Sequence, residues 1–208
     1  MLNPQISRRE FLKQTGIVVV GFRFGGARLP RTSAAVAGVA PTSSQLDSWL
    51  AISTDGSITV FCGKVELGTG VSTALRQIVA EELDTPFDRI SWVQGDSDRT
   101  VDQGSTVGSQ TVKRGGAQLR QAAAEARGVL LELGSAKLGV SADRLIIDNG
   151  IVSVRGAADR HATFAELLGG KRFEREVTGK ATPKRPSDYR IVGKPVRRVE
   201  LPAKMTGR

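Results

Sequence analysis

Two short stretches rich in apolar residues, Trp49 to Ser53 and Ser57 to Cys62, lie on either side of Asp55-Gly56, and the second alternates polar and apolar from Ser57 to Val60. A period of two marks a half-buried strand, and Asp-Gly readily takes up a tight turn, so this region predicts a β-hairpin. From Val71 the period changes. Leu75, Ile78, Val79 and Leu83 recur at steps of one, three and four, which predicts a helix with one buried stripe, with Ser72 or Thr73 placed to cap it and Pro86 beyond its end. Arg89 to Gln94 reads as a further strand. Residues 96 to 110 form a long polar stretch, and loops of that length usually carry function or are disordered.

A second helix is predicted from about Thr111 to Leu133, rich in Ala, Leu, Gln, Arg and Glu. Gly115 and Gly116 weaken its first turns and leave room for another backbone or a ligand, and Gly134 reads as its stop. Leu145 to Ile147 and Ile151 to Val154 flank Asp148-Asn149-Gly150, a second hairpin, and Thr163 is placed to cap a short helix from Phe164 to Leu168. Trp49 and Trp92 fit core strand positions. After residue 180 apolar positions thin out, so residues 180–208 read as an extended arm. Strands and helices alternate, yet the hairpins favour an α+β fold, a mixed sheet with hairpins and two main helices, over a parallel doubly wound sheet.

Composition narrows the function. At 208 residues, 39% apolar and 25% charged, the chain suits one or two small globular domains. Aromatic residues are only 5%, too few for a base-stacking surface. The formal charge of +9 is uneven: residues 1–40 carry six basic residues and one acid, leaving 24 basic and 20 acidic residues, or +4, in the remainder. That value demands no nucleic-acid partner. One cysteine, Cys62, excludes a disulfide framework, an iron–sulfur motif and a thiolate zinc site, and one histidine, His161, excludes a two-histidine metal site. Cys62 reads as a small buried hydrophobe and His161 as a surface loop residue.

The amino terminus contains Ser7-Arg8-Arg9-Glu10-Phe11-Leu12-Lys13, a short apolar run from Gly16 to Gly21, and small residues from Ser33 to Ala40. A positive end, an apolar middle and a small-residue exit describe a signal peptide, and the arginine pair resembles the twin-arginine export signal. The apolar run is too short to span a membrane. A disordered basic leader is the alternative. Export would place the protein in the bacterial periplasm, with an uncleaved leader holding it at the periphery of the inner membrane. The predicted organisation is residues 1–40 as signal segment, 41–179 as the folded body, and 180–208 as an arm or interdomain linker docking on a partner.

Two segments share one chemistry. Gly68-Thr69-Gly70 precedes a helix and offers backbone N–H groups; Ser105-Thr106-Val107-Gly108-Ser109 also precedes a helix and adds three hydroxyls. Phosphate oxygens need several donors at short range, and such turns supply them. Read from the residues alone, both are equally compatible with ordinary loops. There is no Walker lysine pattern and no complete Gly-x-Gly-x-x-Gly after a strand, which disfavours ATP hydrolysis and ordinary dinucleotide binding. Glu66 reads as a solvated or hydrogen-bonded carboxylate, and Glu81 and Glu82 as surface or cap partners on their helix.

The run from Cys62-Gly63-Lys64-Val65-Glu66-Leu67-Gly68-Thr69-Gly70 to Ala74, then Gln77 to Leu83, Val93-Gln94-Gly95-Asp96 and Gly104 to Ser109, resembles the molybdopterin-binding subunit of the xanthine dehydrogenase/aldehyde oxidase family. The branch it looks most like is that of isoquinoline 1-oxidoreductase beta subunits and membrane-associated aldehyde dehydrogenases. The resemblance implies residues 41–179 as a partial molybdopterin-binding domain. It implies a molybdopterin dinucleotide carrying molybdenum, with Gly68, Thr69, Gly70, Ser105, Thr106, Val107, Gly108 and Ser109 lining it, and no metal ligand or catalytic residue from this chain. Thr69 stands where the family often has Gln and has a shorter reach. The family oxidises aldehydes or hydroxylates N-heterocycles and passes electrons to [2Fe-2S] clusters, which here would lie on a small iron–sulfur partner subunit, with a cytochrome c as acceptor.

The family's catalytic glutamate lies in a Gly-x-Gly-Glu segment near the end of a longer chain, and no such segment occurs here. Val192-Gly193-Lys194-Pro195 and Leu201 to Arg208 resemble the family's linker into its next domain. These features imply a larger molybdenum-subunit polypeptide holding the remaining domains, or an incomplete product. The alternatives to an enzyme subunit are a non-catalytic cofactor-binding or assembly protein and a carrier for small anions.

Overall fold

The computed structural model describes residues 41–207; the expected export segment, residues 1–40, lies outside them. Strand β1 (Leu50–Ile52) pairs antiparallel with β2 (Ile58–Cys62), with Leu50 opposite Val60 and Ile52 opposite Ile58. The turn between them is held by Asp55, whose carboxylate accepts from both the N–H and the hydroxyl of Ser57. Along β2 the alternation is strict: Ile58, Val60 and Cys62 are buried while Thr59 and Phe61 are half-buried.

Helix α1 (Val71–Glu82) carries the chain across to β3 (Ile90–Gln94), which lies parallel to β2 from Ile58–Ile90 to Cys62–Gln94. This three-stranded sheet, ordered β1-β2-β3, is therefore mixed. Of the predicted stripe on α1, Leu75, Val79 and Leu83 are buried and Ile78 packs half-buried against them. Glu81 and Glu82 depart from the expectation of surface or cap partners. Both are 1% exposed, because the C-terminal arm covers them.

The predicted second helix divides. Thr111–Gly116 form a π-helical turn and Ala117–Leu138 the regular helix α2. A side chain on Gly115 would lie 3.0 Å from Cγ of Lys64, and one on Gly116 would lie 3.0 Å from Cδ1 of Ile78, so both glycines are contact points. The helix does not stop at Gly134. That residue sits inside α2, where a Cβ would come within 2.7 Å of Cγ1 of Val152, and Gly139, at φ +65°, ends the helix instead.

Strands β4 (Leu145–Asp148), β5 (Ile151–Val154) and β6 (Ala157–Thr163) form a second, antiparallel sheet in that order. Asn149 and Gly150, at φ 51° and 75°, make the predicted tight turn. The sequence pattern does not predict β6: only Ala162 of its seven residues is buried. His161 lies exposed on this strand rather than in a loop. Thr163 caps α3 (Phe164–Leu168) in a reciprocal box with Glu166. The architecture is the predicted α+β class, with α2 in contact with α1 on one side and the second sheet on another.

The arm folds back along α1. Glu81 accepts the consecutive N–H groups of Arg190, Ile191 and Val192 at 2.8, 2.6 and 2.9 Å. Lys184 donates to Glu81 at 2.9 Å and to Asp84 at 2.6 Å, and its own N–H donates to Glu82. Gln77 reaches the carbonyls of Ile191 and Lys194, and the Val199 N–H reaches the hydroxyl of Thr73. A short helix, α4 (Leu201–Thr206), follows.

Candidate functional site

The parallel pairing of β2 and β3 ends at Cys62 and Gln94, and the chain continuing from β2 meets the polar loop that follows β3. Three side chains stitch them. The Gln103 carbonyl accepts from the Gly63 N–H at 2.9 Å and the Cys62 thiol at 3.2 Å, while its amide donates to Gln118 at 3.0 Å. The Lys64 ammonium donates to the carbonyls of Gly104 and Ser105 at 3.0 and 2.8 Å. The Val65 N–H donates to the Thr106 hydroxyl at 3.1 Å.

Glycines make this approach possible: a Cβ on Gly63 would lie 2.1 Å from the Val101 carbonyl oxygen, and one on Gly95 2.3 Å from Cγ1 of Val65. Burial pushes the Cys62 thiol up to about 11, although the Lys64 backbone N–H and ammonium favour its ionised form.

The glycine turn before α1 is organised from within. Glu66 accepts from the N–H groups of Gly70 and Ser72 at 2.8 and 3.0 Å and from the Ser72 hydroxyl at 3.0 Å. Burial alone would raise its pKa; these hydrogen bonds, with one from the Thr69 N–H, outweigh it and bring Glu66 down to about 2. A carboxylate thus already occupies the amides at the start of α1. From the arm, Arg198 donates to the Gly68 carbonyl at 2.8 Å and to Glu200 at 2.6 Å, and its guanidinium lies where a Gly70 side chain would stand.

Of the predicted site residues, the structure therefore brings Ser105 and Thr106 against the segment leading into Gly68. Gly68, Thr69 and Gly70 lie between Glu66 and Arg198. Val107, Gly108 and Ser109 continue outward and are exposed, Val107 to 67%. None of the hydrogen bonds among the described residues uses the N–H of Ser105, Thr106, Val107, Gly108 or Ser109. A side chain on Gly68 or Gly104 would meet nothing within 4 Å, so a ligand can approach the backbone there. Two concavities, of about 550 and 260 Å³, lie away from this loop pair, one between α2 and β4 and one between α1 and the π-helical turn. Among the described residues no cluster of His, Cys, Asp and Glu could hold a metal ion, and no helix is long and apolar enough to cross a membrane.

Lys64, Gln103, Glu66 and Arg198 hold this arrangement; Gln103 and Arg198 carry no sequence motif, while Lys64 and Glu66 lie inside the run that carries the resemblance. Lys64 left one signal: it continues the buried register of Ile58, Val60 and Cys62.

The profile described as "Molybdopterin cofactor-binding domain" matches residues 6–196. The chain belongs to that family. Its relatives include one of the nicotinate dehydrogenase subunits of Pseudomonas putida, 37% identical over 97% of this chain and 17% of that protein. The isoquinoline 1-oxidoreductase beta subunit of Brevundimonas diminuta is 31% identical over 98% of this chain and 31% of that protein. The chain thus spans less than a third of either relative. Among solved structures, the CO dehydrogenase of Oligotropha carboxidovorans superposes with a TM-score of 0.52 at 28% identity, covering 57% of this chain and 15% of that one. The molybdopterin-binding domain described here is related to the xanthine dehydrogenase/aldehyde oxidase superfamily.

For this family's cofactor the residues fit unevenly. The loop at 105–109 offers unengaged N–H groups and hydroxyls to a phosphate. At Gly70 and Ser72 the N–H groups are committed to Glu66.

Proposed function

We propose that this chain forms part of the molybdopterin dinucleotide site of a molybdenum hydroxylase that oxidises aldehydes or hydroxylates N-heterocycles. The observation that carries the reading is the stitching of residues 63–66 to residues 103–106, which leaves Ser105 to Ser109 with unengaged donors beside an accessible backbone at Gly68 and Gly104. In this role Ser105, Thr106, Val107, Gly108 and Ser109 bind the phosphate end by backbone N–H and hydroxyl groups. Gly68, Thr69 and Gly70 present backbone along the pterin, held in place by Glu66 and Arg198. The bound cofactor supplies the molybdenum redox chemistry; this chain binds and orients it and provides no base.

In this role residues 41–179 are a partial cofactor domain in the isoquinoline oxidoreductase and aldehyde dehydrogenase branch. A larger polypeptide contributes the remaining domains, a small iron–sulfur protein the [2Fe-2S] clusters, and a cytochrome c accepts electrons. Residues 1–40 direct export to the periplasm, and residues 180–208 serve as the linker that meets the partner. Support comes from family membership and from the two relatives, each named as one subunit of its enzyme. One observation favours a second reading, a non-catalytic binding or assembly protein: the Glu66 carboxylate holds amides that an anionic ligand would otherwise use.

Purification from the periplasmic fraction of molybdate-fed cells separates the two. The enzyme reading expects co-purification with a larger polypeptide, one molybdenum and a pterin dinucleotide per assembly. Recovery as a metal-free monomer overturns it.

A further inference from the structure

A positive charge lies beneath the Ser105–Ser109 loop with no counter-ion. Lys64 is 3% exposed, and none of the ion pairs among the described residues includes it. Burying an ammonium without a carboxylate is costly, so its remaining contacts must compensate. Its stem packs against Gly115, and its Nζ donates to the carbonyls of Gly104 and Ser105 at 3.0 and 2.8 Å.

Those two bonds fix the direction of the loop's amides. A peptide unit is planar and trans, so its C=O and N–H point opposite ways, and no cis bond occurs here. Turning the carbonyls of Gly104 and Ser105 in toward Lys64 turns the N–H groups of Ser105 and Thr106 out. Neither N–H has an acceptor among the described residues. The Thr106 oxygen accepts from Val65, which leaves the hydroxyl proton free to donate. Asp102 is the carboxylate nearest in sequence; it accepts from the Gly104 N–H at 2.7 Å and so secures the start of the loop. Outward N–H groups backed by a buried cation make a surface that attracts an anion.

We propose that Lys64 is a positioning residue that turns the Ser105 and Thr106 amides outward and so makes this loop a phosphate- or pyrophosphate-binding site. This rests on the cofactor reading above. Lys64 acts through the loop and does not touch the anion.

The test titrates inorganic pyrophosphate into the full chain, by calorimetry and by amide NMR, using wild type, Lys64→Met and Lys64→Arg, with circular dichroism to confirm folding. Wild type is expected to bind with its largest amide shifts at Ser105 and Thr106. Lys64→Met, which keeps the stem and loses the charge, is expected to weaken binding about tenfold or more, and Lys64→Arg to recover most of it. Unchanged affinity in a folded Lys64→Met, absence of pyrophosphate binding by wild type, or shifts centred away from Ser105 and Thr106 each overturn the proposal. The last two hold even where Lys64→Met does not fold. The cofactor reading is judged separately, by the molybdenum content of the purified assembly. Equal molybdenum in wild type and Lys64→Met overturns the role of Lys64 and leaves that reading intact, whereas no molybdenum in wild type overturns the reading itself.

Discussion

The ammonium of Lys184 lies 2.9 Å from the carboxylate of Glu81, across 103 residues of sequence, with side chains 9% and 2% exposed. The other Glu81 oxygen gathers the N–H groups of Arg190, Ile191 and Val192. One buried carboxylate therefore anchors the arm. Glu81→Gln removes the charge that holds these donors and is expected to cost about 3 kcal/mol. A lower urea midpoint, with faster tryptic cleavage after Arg190, checks this.

The same carboxylates set the acid limit of the fold. Burial raises the pKa of Glu81 and Glu66, but their hydrogen bonds outweigh it, leaving both below the ordinary value and Glu66 at about 2. A group depressed in the folded state contributes stability above its unfolded pKa, near 4.5, and that contribution fades as pH falls through the folded value. Unfolding free energy is expected to be level above about pH 5 and to fall between roughly pH 4.5 and 2. In Glu66→Gln that slope should be shallower; an unaltered slope in urea titrations at stepped pH would contradict the assignment.

Two glycines should respond in opposite directions to alanine. At Gly63 the new methyl group would sit 2.1 Å from a backbone oxygen, and Gly63→Ala is expected to destabilise by about 3 kcal/mol or to prevent folding. Gly128 lies in α2 with nothing within 4 Å of the added atom, so Gly128→Ala should stabilise by about 0.5–1 kcal/mol through helix propensity. Thermal unfolding of the pair measures both.

Cys62 is fully buried with its pKa at about 11, so little thiolate exists at neutral pH. Iodoacetamide at pH 8 should leave the native protein unmodified and alkylate it only in denaturant, as read by intact mass. Rapid alkylation of the native chain would contradict its position at the end of β2.

The sequence pattern predicts the elements whose burial follows a period: the β1–β2 hairpin, the α1 stripe, and the β4–β5 turn at Asn149-Gly150. It does not predict β6, because a strand that buries only Ala162 has no alternation to read. It places the end of α2 at Gly134 because a glycine that admits Val152 and a glycine that ends a helix look alike in sequence. Glu81 and Glu82 read as surface or cap partners because the groups they meet lie 38 to 111 positions away, beyond the reach of local spacing. At the site, the glycine- and serine-rich turns are visible as turns. The carboxylate of Glu66 inside one and the ammonium of Lys64 beneath the other are properties of the assembled fold.

The long span between Glu81 and its partners has a consequence during synthesis. Residues 190–192 are made more than a hundred positions after Glu81. At ribosomal rates of about 5–20 residues per second that is a delay of roughly 5–20 s. Throughout it, Glu81 on α1 has not yet met its donors, and the nascent helix must keep that side chain wet. Its face of the helix can dry only after the arm emerges, which makes the arrival of residues 184–192, rather than collapse of the hydrophobic elements, the event that seals it.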